Sequence, residues 1–125
     1  GTIELPYPVG PYLTARYSLL LAVPETGRFH QIRRHLQHVS RPVIGDRTHG
    51  DSSHNRFFAG VFGCSRMLLT AAELVFDHPY TGEKTNILAP LDPVFSLVIR
   101  SFSWDCLMSA EIIKNRPQLR LPFCL

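Results

Sequence analysis

The stretch Thr14-Ala15-Arg16-Tyr17-Ser18-Leu19-Leu20-Leu21-Ala22-Val23, then Pro24-Glu25-Thr26-Gly27, then Arg28-Phe29-His30-Gln31-Ile32-Arg33-Arg34-His35-Leu36-Gln37-His38-Val39, changes its hydrophobic period partway along. Over residues 14–23 the period is two. Ala15, Tyr17, Leu19, Leu21 and Val23 share one side and Thr14, Arg16 and Ser18 the other, which predicts a half-buried strand. From Phe29 the apolar residues fall at 29, 32, 36 and 39, one stripe of a helix of about three turns. Thr26 or Gly27 would start that helix and Ser40-Arg41-Pro42 would stop it. The stripe is expected to face the core, with His30, Arg33, Arg34 and Gln37 together on the opposite face.

Outward from this unit the pattern continues to alternate. A lead rich in Pro6, Pro8, Gly10 and Pro11 precedes it. Residues 42–50 read as a short buried strand and a turn, and residues 51–63 as a polar, aromatic loop over the basic face. Residues 67–77 read as a second strand with Leu68, Thr70, Ala72, Leu74 and Phe76 on one side. Pro79-Tyr80-Thr81-Gly82 turns the chain and residues 84–89 return, so 67–89 is a β-hairpin. Asp92-Pro93 is an N-cap with proline at the first helical position. Val94, Leu97, Val98 and Phe102 then fit a helix ending near Trp104. Residues 115–125 show no pattern. The sum is an α+β domain with a mostly antiparallel sheet and a few helices.

The composition agrees. A chain of 125 residues is one ordinary domain, and at this size a core needs no disulfide or metal. Ten prolines and eight glycines argue against a bundle of long helices. No run of apolar residues is long enough for a transmembrane helix. Cys64, Cys106 and Cys124 are odd in number and widely spaced, as expected of reduced cytosolic thiols. Gly1 is not a start methionine, and the expectation is a piece of something longer with no signal peptide.

The charge is more pointed. The net charge is only +3, but the basic residues are eleven Arg against two Lys. Seven Arg lie between Arg28 and Arg66 with only Asp46 and Asp51 against them. Arginine pairs bidentately with phosphate and stacks on bases, so this central face predicts an anionic partner. A strand, a glycine and a helix opening with donors make an anion-ready helix N-terminus at residues 26–36. Arg28, His30 and Gln31 could reach a group docked there, and Arg33 could hold a carboxylate or phosphate one turn on. On residues alone, a solvated basic face accounts for the same pattern.

Other candidates are weaker. His30, His35 and His38 have no nearby Cys and no zinc spacing. His35 and His78 read as hydrogen-bonded structural histidines. Asp46 reads as fixing a turn or pairing with a nearby Arg rather than as a general base. Tyr80 and Phe76 read as core, and Cys64 as an idle thiol although Arg66 could lower its pKa.

The run Thr26-Gly27-Arg28-x-His30-Gln31-Ile32-Arg33-x-His35-Leu36, followed by Pro42-Val43-Ile44-Gly45-Asp46-x-x-His49-Gly50, resembles the C-terminal signature of the RluA-type pseudouridine synthases. Arg66-Met67-Leu68-Leu69-x-Ala71-x-x-Leu74-x-Phe76-x-His78-Pro79-x-x-Gly82 is similar to the hairpin that follows it in that family. The resemblance spans about residues 14–104. The Arg33-Arg34 doublet, the His49-Gly50-Asp51 ending and the loop to Asn55-Arg56 look nearest the members that act on tRNA.

The resemblance implies a cofactor-free isomerisation of uridine in RNA, and from the residues neither a metal nor a membrane is an expected partner. The family uses one aspartate in an Arg-Leu-Asp motif, an upstream tyrosine against the base, and an arginine paired with the aspartate. Arg33 matches that arginine. Arg28, His30, Gln31, Arg34, Arg47 and Arg66 are the expected RNA-binding residues. No Arg-Leu-Asp occurs in the 125 residues, so the aspartate and tyrosine blocks would lie upstream of Gly1. Thr70 also departs from the family, which usually has histidine there. The expected division is a lead at 1–13, the C-terminal part of a synthase catalytic domain at 14–105, and a tail at 106–125. Such a part would be inactive alone, and the face its other half covers could drive dimerisation. An RNA-binding module that never had catalytic function is the alternative.

Overall fold

The computed structural model describes residues 1–105 and, as backbone, residues 121–124. The remainder of the expected tail lies outside the described residues. Among the described residues the architecture is α+β: three helices and two small antiparallel sheets. In the first sheet β2 (Ala15–Ala22) is central. It pairs on one side with β1 (Thr2–Leu5), Ile3 opposite Tyr17, and on the other with the last strand, Leu121–Cys124, Leu20 opposite Phe123. The lead thus contributes a strand, and so does a terminal stretch without sequence pattern.

The alternation predicted for β2 holds over its first half. Ala15, Tyr17 and Leu19 are buried, while Leu21 and Val23 are exposed. The core gathers on Tyr17, against the Phe58 ring edge-on at 4.8 Å and the Phe102 ring at 6.2 Å. Leu68, Phe95, Val98, Ile99 and Trp104 complete it.

Phe58 comes from a helix that the sequence pattern hides. Residues expected as a loop form α2 (Ser52–Phe62), following α1 (Gln31–His38). Asp51 caps α2, accepting from the Ser53 and His54 amides, and Gly63 ends it at φ 62°, where only glycine is unstrained. Residues 42–50 form turns rather than the expected strand, with Val43 and Ile44 buried and the Leu68 amide donating to the Ile44 carbonyl.

The hairpin forms as predicted but begins later, from β3 (Glu73–Asp77) to β4 (Lys84–Leu88). Its alternation is the reverse of the expectation: Glu73 is buried and Leu74 and Phe76 are exposed. Leu68 belongs to the preceding segment, so the period restarts at Glu73, whose Oε1 accepts from Asn86 Nδ2 at 2.9 Å. Tyr80, expected in the core with Phe76, is 92% exposed at the turn. His78 closes that turn, accepting from the Tyr80 and Thr81 amides at Nδ1.

α3 (Pro93–Ser101) starts at the Asp92-Pro93 cap, the Asp92 carboxylate accepting from the Val94 and Phe95 amides. Its inner stripe is Phe95, Val98 and Ile99, with Phe102 after its end, and Leu97 is exposed instead. No described helix is long and apolar enough to cross a membrane.

Candidate functional site

α1 buries neither face fully. Ile32 and Leu36 of the expected stripe are half-buried, as is Arg33 of the polar face, while Arg34 and Gln37 are exposed. The expected burial of the stripe holds only in part and fails at its two ends, which flank the helix. Phe29 and Val39 are exposed and no residue of the helix is fully buried. An ion pair anchors the polar face. Arg33 donates from Nε to Asp46 Oδ2 at 2.6 Å and from Nη2 to Oδ1 at 2.8 Å. That fork ties α1 to the Asp46 turn through Arg33, while Ile32 and Leu36 keep the middle of the stripe half-buried.

Asp46 is built into place by backbone geometry. Gly45 has φ 77°, and a Cβ there would sit 1.9 Å from the Arg66 carbonyl oxygen, so only glycine fits. A Cβ on Gly50 would fall 2.1 Å from the Asp46 carbonyl oxygen. Asn55 on α2 clamps the same turn, its Oδ1 accepting from the Gly45 amide at 2.6 Å and its Nδ2 donating to the Asp46 carbonyl at 2.9 Å. The Thr48 and His49 amides each donate to Asp46 Oδ1 at 2.9 Å. The Asp46 side chain is 0% exposed and that of Arg33 16%. Burial pushes the carboxyl pKa up, but the Arg33 hydrogen bonds and the two amides outweigh it and hold Asp46 well below the usual carboxylate range. The sequence reading of Asp46 as a turn-fixing partner of an arginine is what the structure shows.

The next layer is imidazole. His49 Nδ1 donates to Gln37 Oε1 at 2.9 Å, so its Nε2 is the acceptor for His30 Nδ1–H at 3.2 Å. Partial removal from water and the charges of Arg33 and His49 lower the His30 pKa, against a smaller opposing pull from Asp46. His30 is the N-cap of α1 in left-handed conformation, φ 53°. The helix therefore starts at Gln31 rather than at Thr26 or Gly27. Gln31 Oε1 accepts from Thr26 Oγ1 at 2.7 Å and from the Arg28 amide at 3.0 Å, closing the 26–31 loop.

A guanidinium has five N–H groups, and Asp46 takes one on Nε and one on Nη2. That leaves two N–H groups on Nη1 and one on Nη2, and Arg33 lines an open cleft of about 420 Å³ with Asp46, Arg47, Thr48, Ser65 and Arg66. Arg66 is paired with Asp92 and is thereby partly neutralised. Among the described residues no carboxylate lies within ion-pair distance of Arg28, Arg34 or Arg47. The structure thus brings Arg33, Arg47 and Arg66 to one cleft. It groups Arg28, Gln31 and Arg34 with Phe29, His35 and His38 around a second, of about 330 Å³.

Sequence reading gives Asn55 and His49 only as motif positions, with no role for either side chain, and places Phe29 in the core, whereas its ring is exposed. His35 is exposed on α1, so the expectation of a structural histidine fits His78 and not His35. Cys64 is buried, which raises its thiol pKa against the weaker influence of Arg66, and its Sγ donates to the Arg66 carbonyl at 3.6 Å.

No protein-family model matches the chain. It is similar to curated proteins named tRNA pseudouridine synthase C. The one from Yersinia pestis is 48% identical over 103 residues, 82% of this chain and 40% of that protein. The one from Vibrio cholerae is 46% identical over 103 residues, 82% of this chain and 42% of that protein. The one from Salmonella typhi is 45% identical over 108 residues, 86% and 42% respectively. The chain therefore spans about two-fifths of the length of these relatives.

Proposed function

This chain belongs to the pseudouridine synthases, and on that premise we propose that it supplies the arginine and much of the RNA-facing surface of an enzyme that isomerises a uridine of tRNA. On this reading the target is uridine 65, the partner tRNA and the setting the cytoplasm. In the reaction a uridine is flipped from the RNA, its glycosidic bond breaks, and the base turns and rejoins the sugar through carbon. The observation that carries the reading is the two-edged placement of Arg33. Asp46 holds one edge of its guanidinium, and three N–H groups remain for a second anion in an open cleft.

Arg33 is the catalytic residue of this chain. Its free edge orients the aspartate of an Arg-Leu-Asp motif, which these 125 residues do not contain, and keeps it ionised as an opposite charge nearby does. Asp46 acts through Arg33 as a positioning residue. Arg34, Arg47 and Arg28 face RNA. Without the aspartate the chain by itself binds RNA and performs no isomerisation.

The test is a chimera in which the matched residues of the Yersinia pestis protein are replaced by those of this chain. Tritium release from tRNA labelled at uridine C5 is expected from the chimera and not from the 125-residue chain. Arg33→Ala and Arg33→Lys should each cut the single-turnover rate sharply while tRNA affinity stays within a few-fold, and Arg34→Ala should do the reverse. If Arg33→Ala loses affinity and keeps its single-turnover rate, Arg33 is a phosphate clamp and the catalytic role is wrong.

A further inference from the structure

Phe29 is 79% exposed, yet it does not wave free. Its ring lies on the His30 ring with centroids 3.7 Å apart and 23° between the planes. His30 is fixed in turn by its left-handed backbone and its hydrogen bond to His49, which Gln37 anchors to α1. One face of an aromatic ring is therefore backed by a braced stack and the other is left to water.

The surroundings of that open face are all of one kind. The cleft contains Arg28, Gln31, Arg34, His35 and His38 and no carboxylate. The Arg28 backbone N–H can only donate, so the Gln31 atom it meets is the oxygen, and the carboxamide's two N–H groups remain for another acceptor. A cleft of donors selects an acceptor-rich anion, and a bare aromatic face selects a planar ring. A nucleotide carries both, a sugar apart. In a duplex the base faces are covered by their neighbours, so only an unpaired base can lie on Phe29.

We propose that Phe29 is a stacking platform for one unpaired nucleotide of the RNA, with the adjoining phosphate held by Arg28 and Arg34. This rests on the reading of the chain as RNA-facing and adds the site and the conformation of the RNA it takes.

The experiment uses the 125-residue chain, a single-stranded RNA carrying 2-aminopurine, and the same RNA annealed to its complement. The chain should bind the single strand and quench its 2-aminopurine, and should favour it over the duplex. Phe29→Ala should weaken single-strand binding about tenfold, with the salt dependence unchanged because no charge is removed. Phe29→Tyr should retain wild-type affinity. Arg28→Ala with Arg34→Ala should instead flatten the salt dependence, by roughly 0.7 in slope for each phosphate no longer neutralised. Because Phe29 is exposed, none of its variants disturbs the core. Equal affinity of Phe29→Ala and wild type would overturn the platform while leaving the RNA-facing reading intact. So would full affinity in Phe29→Leu, which keeps an apolar surface but no ring. Failure of the wild-type chain to bind either RNA would overturn both.

Discussion

Asp46 is a charged carboxylate shut off from solvent and held by four hydrogen bonds, and its worth depends on keeping every donor matched. Asp46→Ala leaves the inner edge of Arg33 and two amides unpaired, and should destabilise the chain by about 3–5 kcal/mol in urea melts. The pH dependence has a definite sign. The folded carboxyl is held below its ordinary value of 3.8, so its contribution is complete above that pH and is lost as pH falls below it. Wild type should therefore lose stability on going from pH 7 to pH 3, and Asp46→Asn, with no charge to lose, should lose less. An equal loss in both would mean the pair contributes nothing to acid sensitivity. Gly45→Ala attacks the same turn through its backbone, since both the positive φ and the Arg66 carbonyl oppose a Cβ. Its cost should exceed the ~1–3 kcal/mol of backbone strain alone.

At the scale of elements, helix starts can be read where a capping residue meets an apolar period, and they are lost where one signal is missing. Asp92-Pro93 had both, and α3 begins there. Asp51 is an equally good cap, but Gly60 and the polar first turn of α2 dilute the period behind it, so only Gly63 and the Phe58–Phe62 spacing signalled a helix. α1 shows a different failure. Its period was correct over Ile32 and Leu36, both half-buried, but the helix is shorter than the stripe, and the ion pair that ties Arg33 to Asp46, 13 positions away, leaves no mark in the period. That coupling is invisible to any local window, as is the clamp by Asn55. The two caps give a comparison. Asp51→Ala should cost about 1 kcal/mol, the ordinary value for a cap. Asp92→Ala should cost more, because it also frees Arg66 from its ion pair. Chemical denaturation of the two variants side by side would settle the order, and equal losses would mean the Arg66 pair contributes nothing.

Over the whole molecule, a net charge of +3 understates the basic surface, because what an RNA backbone meets is the set of arginines without internal partners. Arg33 is held by Asp46 and Arg66 by Asp92, whereas Arg34 and Arg47 are exposed with no carboxylate at ion-pair distance among the described residues. An unpaired guanidinium releases phosphate counterions on binding, while one already paired releases fewer and exposes its carboxylate when it leaves. Affinity for tRNA should thus fall linearly with the logarithm of salt concentration. Arg34→Ala and Arg47→Ala should each reduce that slope by about one unit, weakening binding without touching thermal stability. Arg66→Ala should do the opposite, lowering the melting temperature through the loss of the Asp92 pair and leaving the slope nearly unchanged. Filter binding across a salt series, run beside thermal melts of the three variants, separates the two classes. If Arg66→Ala flattens the slope as much as Arg47→Ala does, its ion pair opens on RNA and the division between paired and unpaired arginines does not govern the interface.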